Sequence, residues 1–317
     1  MLSSHCDYVA DEREIGPGTY GVTDFDTAAS LVDDYIAHRV YAVLDRWPGT
    51  PTLMLSGGID SVLLATYVAT AAPDAVAVTF VQPGNPDADR ELSVARAVAD
   101  RLGLDHVAVS YVGGHLDRLL RGTAVALDTS EPWEVLAGAV LRAVDGAVEG
   151  DDGALFSGAG ADGLFMGGQA VDFGEDPVAA WDGAMRANIA KNFTRHRFIP
   201  DFYERLIENH ERHALVWQTH EAVDLARRIH PHLIRGTNLT GDKALFRRMA
   251  RERGLPPELV TATKNPMQVS SGGVAAVVGA ARDALAEDYG AKTYTNPKDE
   301  PLDFTVARLY LQRLVRD

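Results

Sequence analysis

Short apolar runs alternate with amphipathic segments through the first half of the chain. Four of the apolar runs have the length and composition of buried strands: 51–55, 75–81, 106–109 and 153–157. Between them, apolar residues recur at helical spacing, most clearly in 26–47, 60–71, 87–102 and 132–148. Strands that alternate with helices predict a parallel sheet with helices packed on it. In such sheets, ligands bind at the carboxyl ends of the strands.

The pattern changes after about residue 175, where strand signals fade. Amphipathic helices dominate from Pro177 to Arg253 and again from Val274 to Tyr289. We therefore expect an α/β fold in three parts: an irregular Gly-rich arm over 1–24, an α/β core over 25–175 and a helical lobe over 176–317. The lobe is expected to pack on the sheet rather than to form an independent domain.

Composition and charge exclude several classes of protein. The 317 residues are 46% hydrophobic, which is enough for a sizeable core. The formal net charge of −15 argues against nucleic acid or an anionic membrane as the main partner. A single cysteine, Cys6, excludes a disulfide framework or a Cys-rich zinc site within one chain. The sequence has no signal-peptide pattern and no run of about 18 apolar residues, so we expect a cytoplasmic protein.

A glycine turn, Ser56-Gly57-Gly58-Ile59-Asp60-Ser61, follows the first apolar run and precedes a helical segment. Glycines let the main chain approach a ligand closely, and the free N–H groups at the start of a helix favour anions such as phosphate. Asp60 would repel a phosphate unless a cation lay between them, which indicates magnesium. No Gly-Lys-Ser/Thr follows, so this is not a Walker motif. The alternative is a tight strand-to-helix turn that binds nothing.

A second loop of the same design follows the fourth apolar run: Ser157-Gly158-Ala159-Gly160-Ala161-Asp162. Its small residues again permit close approach, and a single carboxylate again lies just after a strand. Because both loops fall at carboxyl ends of strands, we expect Asp60 and Asp162 to face each other and to share one Mg²⁺ with the phosphates of ATP. The alternative for Asp162 is that it only caps a helix.

These motifs resemble those of a known family. Ser56 to Ser61 matches the Ser-Gly-Gly-x-Asp-Ser signature of the PP-loop enzymes, which cleave ATP to AMP and pyrophosphate. With Ser157 to Asp162, the chain resembles the synthetase domain of the asparagine synthetase family, including its β-lactam synthetase and lasso-peptide cyclase relatives. A third run is similar to the family's lysine-containing motifs: Lys243-Ala-Leu-Phe-Arg-Arg, Leu255-Pro-Pro-Glu258 and Lys264-Asn-Pro266. The likeness covers roughly residues 26–275.

The resemblance implies a fold, a reaction and a set of site residues. It implies a PP-loop core of the adenine nucleotide α-hydrolase type, in which a substrate carboxylate is adenylated by ATP and then transferred to ammonia or an amine. Lys264 matches the family's catalytic lysine, which would neutralise developing charge. Asp60 and Asp162 match the metal ligands. The nucleotide-contacting positions would be Leu55, Ser56, Gly57, Gly58, Asp60, Ser61, Phe80, Ser157 and Gly158.

Several positions depart from the family pattern. The family's glutaminase domain needs a cysteine directly after the initiator Met, where this chain has Leu2, so we expect no glutaminase activity. Nitrogen would then come from ammonia, a separate partner or an amine substrate. Ala159 stands where relatives have a Glu or Tyr that helps to bind or deprotonate the nucleophile. Gly163 and Met166 also differ from the usual residues, which favours a specialised, secondary-metabolic substrate.

Other functions stay open at this point. Ala159 is compatible with a nucleotide-binding pseudoenzyme or subunit of the same fold. A sulfur-inserting enzyme would need cysteines that Cys6 alone cannot supply. A zinc hydrolase built on His210 and His213 lacks the His-Glu-x-x-His spacing, so these are expected to be surface or interface histidines on a helix. Three arginines are candidates for holding a carboxylate or phosphate of the substrate: Arg235, Arg247 and Arg248.

Overall fold

The computed structural model describes residues 15–147, 153–167, 169–194, 199–261, 266–289, 296–306 and 309. The strands are β1 Thr52–Met54, β2 Val76–Phe80, β3 Asp105–Val109, β4 Leu155–Ser157 and β5 His213–Leu215. The helices of the first half are α1 Phe25–Arg46, α2 Ile59–Ala71, α3 Pro86–Leu102, α4 Gly114–Leu127, α5 Pro132–Asp145 and α6 Ala161–Phe165. Those of the second half are α7 Pro177–Asn192, α8 Phe202–Leu206, α9 His220–Ala226, α10 Pro231–Arg235, α11 Ala244–Glu252, α12 Pro257–Val260, α13 Met267–Ser270 and α14 Gly273–Tyr289.

The five strands form one parallel sheet in the order β3-β2-β1-β4-β5. The chain runs outward from β1 through β2 to β3, and then returns to place β4 on the other side of β1. The order therefore reverses between β1 and β4. In open parallel sheets, this switch point leaves a crevice beyond the strand ends, because the connections leave in opposite directions.

Two apolar cores lie on opposite faces of the sheet, because successive side chains of a strand point to opposite sides. Leu53 and Ala77 belong to the larger core, which also contains buried residues of α1, α2 and α11. Val78 and Leu155 belong to the smaller core, with residues of α5 and α8. The helix α2 is buried along nearly its whole length, from Ile59 to Val68, so it is held rigidly against the sheet.

The predicted fold class is confirmed: a parallel sheet with helices on it, followed by a mainly helical second half. Two details were wrong or missed. Helix α4 was not predicted, and strand β5 comes from a segment predicted to be helical. A three-residue strand is too short for an alternating pattern to be read from its sequence. The boundaries of the arm, core and lobe stay a prediction.

The histidines considered for a zinc site do not share a helix. His210 lies in a 3₁₀ turn, His210–Arg212, and His213 is the first residue of β5. His213 is buried and its ring makes a T-shaped contact with Tyr203, so the expectation of a surface histidine was wrong. In the part of the chain that the structure describes, no group of three His, Cys, Asp or Glu side chains could hold a metal ion.

The segment before α1 is fixed to the second half of the chain. The carboxylate of Asp182 in α7 accepts hydrogen bonds from the Gly18 N–H and the Tyr20 hydroxyl, each at 2.8 Å. The amides of Thr19 and Tyr20 both donate to the carbonyl oxygen of Arg227 at 3.0 Å. Within the described residues, no helix is both long enough and apolar enough to cross a membrane.

Candidate active site

A cavity of about 550 Å³ opens at the switch point of the sheet. The loops after β1 and β4 both line it, as the strand order requires. Every residue predicted to contact the nucleotide or the metal lies on its wall: Leu55, Ser56, Gly57, Gly58, Asp60, Ser61, Phe80, Ser157, Gly158 and Asp162. The structure therefore brings these residues to one place, and their roles stay predictions.

Hydrogen bonds through Ser61 close the loop after β1 on itself. Its Oγ accepts from the Ser56 N–H at 3.1 Å and lies 2.9 Å from the Ser56 hydroxyl oxygen. The same hydroxyl is 3.0 Å from the carbonyl oxygens of Ser56 and Gly58, either of which can accept its single proton. The loop is thus shaped by its own serines, so it is organised before any ligand binds.

The glycines of this loop matter for space rather than for backbone angles. Neither Gly57 nor Gly58 has a positive φ, so the left-handed conformation that favours glycine is not what the loop requires. Gly58 has an extended backbone, with φ −80° and ψ 142°. A Cβ on Gly57 would lie 3.3 Å from the Glu91 carbonyl oxygen and the Val94 side chain. The loop therefore packs directly on α3.

The second loop packs on the start of α2 through Gly158. A Cβ at this position would lie 3.0 Å from the Asp60 carbonyl carbon and from the Ser61 amide nitrogen. Both contacts are with backbone atoms, which cannot swing aside as a flexible side chain would. The lack of a side chain at Gly158 thus allows the second loop to lie this close to the start of α2.

Asp60 and Asp162 converge on the ammonium group of Lys243. Asp60 is in the first turn of α2 and is 4% exposed, whereas Asp162 is in the first turn of α6, with 41% of its side chain exposed. The Lys243 Nζ donates to Asp60 Oδ1, and to Asp162 Oδ1 at 2.5 Å. The Lys243 side chain is completely buried. Sequence reasoning noted Lys243 in the third motif but assigned it no role.

Glycine and arginine residues hold this cluster in place. Gly167 lies so close that an added Cβ would overlap Asp162 and Lys243. Arg235 is buried and donates to the carbonyl oxygens of Met166 at 2.9 Å and Gly241 at 3.1 Å. It therefore ties the segment after Asp162 to the loop that leads to Lys243.

The expectation that three arginines hold a substrate carboxylate or phosphate is not supported by their contacts. Arg235 donates to main-chain carbonyl oxygens of Met166 and Gly241. Arg247 bonds to the carboxylate and the carbonyl oxygen of Asp242 at 2.9 and 2.8 Å, and to the carbonyl oxygen of Val260. Arg248 lies over the Phe25 ring at 3.3 Å and pairs with Glu252 on its own helix. All three are structural in these contacts.

The paired carboxylates have the chemistry of a Mg²⁺ site. Mg²⁺ prefers hard oxygen ligands, and two carboxylates from the first turns of α2 and α6 already hold one cation between them, the Lys243 ammonium. This ammonium is a stand-in that shows the position to be suited to a positive charge. If a metal ion binds here, Asp60 and Asp162 are its candidate ligands, and this role stays a prediction.

Part of the cavity wall is apolar. Met54, Val78 and Phe80 line it from the sheet, and Trp133 and Val140 line it from α5. A planar, weakly polar group such as an adenine ring would fit against such a wall, while the polar loops face a charged group.

A partly buried hydrogen-bond chain joins the end of β1 to β2 and β3. The Thr79 hydroxyl donates to the Leu55 carbonyl oxygen at 2.6 Å. Its single proton is then used, so the His106 Nε2 at 2.9 Å must be the donor to Thr79. Burial lowers the pKa of His106, and the nearby positive charge of Arg96 lowers it further.

The structure shows what surrounds the three positions that depart from the family pattern. Ala159 is exposed and lines the cavity. At Gly163, an added Cβ would meet the ring of Phe193, so an aromatic side chain fills the space that a longer residue would need. Met166 is fully buried and has a positive φ of 50°.

Lys264 lies outside the described residues, and the described chain resumes at Pro266, on the cavity wall.

Comparison with known proteins identifies the family to which the chain belongs. The sequence profile of the asparagine synthase family matches residues 49–230, which is more than half of the chain and includes both loops. The third motif lies beyond the matched residues, so its resemblance stays a prediction. No curated protein matches the sequence.

One solved structure, an NMN synthetase from Francisella tularensis, is 12% identical over 74% of this chain and 98% of its own, with a TM-score of 0.34. A likeness that weak carries no argument, and the profile match alone decides the family. The chain belongs to the asparagine synthase family, a family of ATP-dependent amide-forming ligases.

Proposed function

We propose that this protein is an AMP- and pyrophosphate-forming ligase that adenylates a substrate carboxylate and transfers the acyl group to ammonia or an amine. One observation carries the proposal. Two carboxylates, Asp60 and Asp162, lie in the first turns of the helices that follow adjacent strands, and they meet at one cation position that lines a cavity large enough for a nucleotide. A fold that only needed two tight turns would have no reason to bury the charges of Asp60 and Lys243 there.

Each part of the site has a distinct task in this reaction. The Ser56–Ser61 loop, with its hydroxyls and the N-terminus of α2, binds the pyrophosphate portion of ATP. Asp60 and Asp162 hold the Mg²⁺, which neutralises the polyphosphate when bound. The apolar wall around Phe80 holds the adenine ring. Lys264 neutralises charge in the adenylation and acyl-transfer steps, a role proposed from the family resemblance alone.

The position that relatives use to bind or deprotonate the nucleophile offers no base in this chain. Ala159 has no proton acceptor, and among the described residues that line the cavity, no His, Tyr, Cys or Lys is present. Besides Asp60 and Asp162, the carboxylates on its wall are those of Asp87 and Glu91 in α3. Free ammonia or an amine with a low pKa is uncharged often enough to attack without a dedicated base. We propose that the enzyme works without a glutaminase of its own, on a specialised carboxylate in the cytoplasm, and takes its nitrogen from ammonia, an amine substrate or a separate partner.

Exchange of labelled pyrophosphate into ATP tests the adenylation step. Only a reversible attack of a carboxylate on the α-phosphate returns label to ATP, so exchange should depend on the acid that is added. A panel of carboxylic acids would be tested with Mg²⁺ and ATP, with hydroxylamine then added to trap the acyl group as a hydroxamate. Formation of ADP and phosphate in place of AMP and pyrophosphate would contradict the proposal.

A second function, a nucleotide-binding subunit without adenylation activity, is favoured by Ala159. Under that alternative the protein binds Mg²⁺ and ATP, yet shows no exchange with any acid, either alone or with the proteins encoded beside it. The retention of Asp60 and Asp162 together with a buried Lys243 favours the enzyme, since a site released from catalysis has little physical need for this cluster.

A further inference from the structure

A lysine is an unusual residue to find between the two proposed metal ligands. A completely buried ammonium is stable only when opposite charges and hydrogen bonds surround it. Lys243 meets this requirement with Asp60 on one side and Asp162 on the other. Its own backbone is in the left-handed region, with φ 47°, where it precedes α11. The chain therefore adopts an uncommon conformation at the residue whose side chain enters the cluster.

The ammonium and a divalent cation compete for the same place. Mg²⁺ binds carboxylate oxygens at about 2.0–2.1 Å, so an ion shared by Asp60 and Asp162 would lie where the Lys243 Nζ now lies. Gly167 closes the cluster on one side with main-chain atoms, which leaves little room for both cations at once. Two positive charges at such short range would also repel each other strongly.

We propose that Lys243 is a resident counter-ion that occupies the metal position in the ligand-free protein and must leave it when the divalent cation binds. This inference rests on the proposed function, since it takes the two aspartates as metal ligands. Without Lys243, the buried Asp60 and the partly exposed Asp162 would lose the positive charge that lies between them, so the ammonium stabilises this cluster when no metal is bound. With the nucleotide bound, its phosphates offer the displaced ammonium a new partner.

The displacement of Lys243 affects how tightly the divalent cation binds. A divalent cation alone must displace Lys243 with no compensating partner for the ammonium, so it binds weakly. A divalent cation that arrives with a polyphosphate supplies that partner, so the two bind together. Free metal ions therefore bind the site weakly, whereas the metal–nucleotide complex binds it tightly.

The test measures Mn²⁺ binding without nucleotide, by the loss of the free-ion EPR signal. Mn²⁺ takes the same oxygen ligands as Mg²⁺. Lys243→Met removes the competing charge, and it should bind Mn²⁺ at least about tenfold more tightly than the wild type. Lys191→Met, at an exposed lysine in α7, is the matched control and should bind as the wild type does. Adding Asp162→Asn to Lys243→Met should abolish the gain.

The Lys243→Met variant decides the proposal whether or not it folds without metal. Equal Mn²⁺ affinity in the wild type and Lys243→Met would overturn the proposal. If Lys243→Met is unfolded without metal, Mn²⁺ should restore its circular dichroism and thermal transition, because the metal replaces the missing ammonium. Failure of Mn²⁺ to restore the fold would equally overturn it. Neither measurement depends on ATP turnover, so failure of the ligase proposal would be seen separately, in the exchange assay.

Discussion

Gly158→Ala tests whether the two loops must pack together as closely as the structure shows. The added methyl group would lie 3.0 Å from the Asp60 carbonyl carbon and from the Ser61 amide nitrogen. Those atoms belong to the first turn of α2, which is buried along nearly its whole length. The second loop must therefore move away by a few tenths of an ångström, and it takes Asp162 with it.

The magnitude follows from this overlap. Overpacking of a rigid site costs about 1–3 kcal/mol of unfolding free energy. At roughly 2 °C per kcal/mol for a chain of this size, the thermal midpoint should fall by about 2–6 °C. Misplacement of Asp162 should also weaken the binding of Mg²⁺ and ATP by about threefold or more. Thermal unfolding and calorimetric titration measure the two effects on the same sample.

Gly183→Ala is the matched control for this substitution. Gly183 is an exposed glycine within α7, and a Cβ there would meet nothing within 4 Å. Alanine favours helix over glycine, so this variant should gain about 0.5–1 kcal/mol and bind the nucleotide unchanged. The reasoning about the loops would be refuted if Gly158→Ala matched the wild type in both measurements.

Two further predictions concern stability. The pKa of His106 is lowered in the folded protein, so below about pH 6.5 the unfolded chain takes up a proton more readily than the folded protein does. The free energy of unfolding should therefore fall as the pH drops through that value. His106→Gln keeps a donor for Thr79 but does not titrate, so urea midpoints between pH 7 and 5 should vary less, and an unchanged slope would contradict this. Asp182→Ala removes the acceptor of Gly18 and Tyr20, which should cost about 1.5–3 kcal/mol and speed proteolysis of the segment before α1. Asp182→Asn retains an acceptor and should lose less; equal losses would argue that the hydrogen bonds are not the cause.

The two loops could be predicted from the sequence because each is a local signal. Small residues and one carboxylate directly after an apolar run fix both the turn and its place at the edge of a parallel sheet. The strand order then brings the loops after β1 and β4 side by side. The convergence of Asp60 and Asp162 follows from this topology.

Lys243 could not be assigned a role in the same way. It lies 81 residues after Asp162 in the chain, and its position between the aspartates depends on how α11 packs against α2. No local pattern encodes such packing. The family's lysine-containing motif was the available signal, and it marked the residue without showing what the side chain contacts.

The arginines show the opposite error. Arg235 and Arg247 were considered as substrate ligands because guanidinium groups bind carboxylates and phosphates well. Both instead donate to main-chain carbonyl oxygens of loops around the site. A sequence does not reveal which carbonyl groups a loop leaves unpaired, so it cannot distinguish an arginine that supports a loop from one that binds a ligand.

The central claim is that Asp60 and Asp162 form one binding site for Mg²⁺ and ATP, and a calorimetric titration tests it most directly. Asp162→Asn keeps the size of the side chain and removes one charged ligand, so it should weaken Mg²⁺-dependent ATP binding at least about tenfold. Asp74→Asn, at an exposed turn after α2, should bind as the wild type does. Wild-type affinity in Asp162→Asn, or ATP binding that is independent of Mg²⁺, would contradict the account.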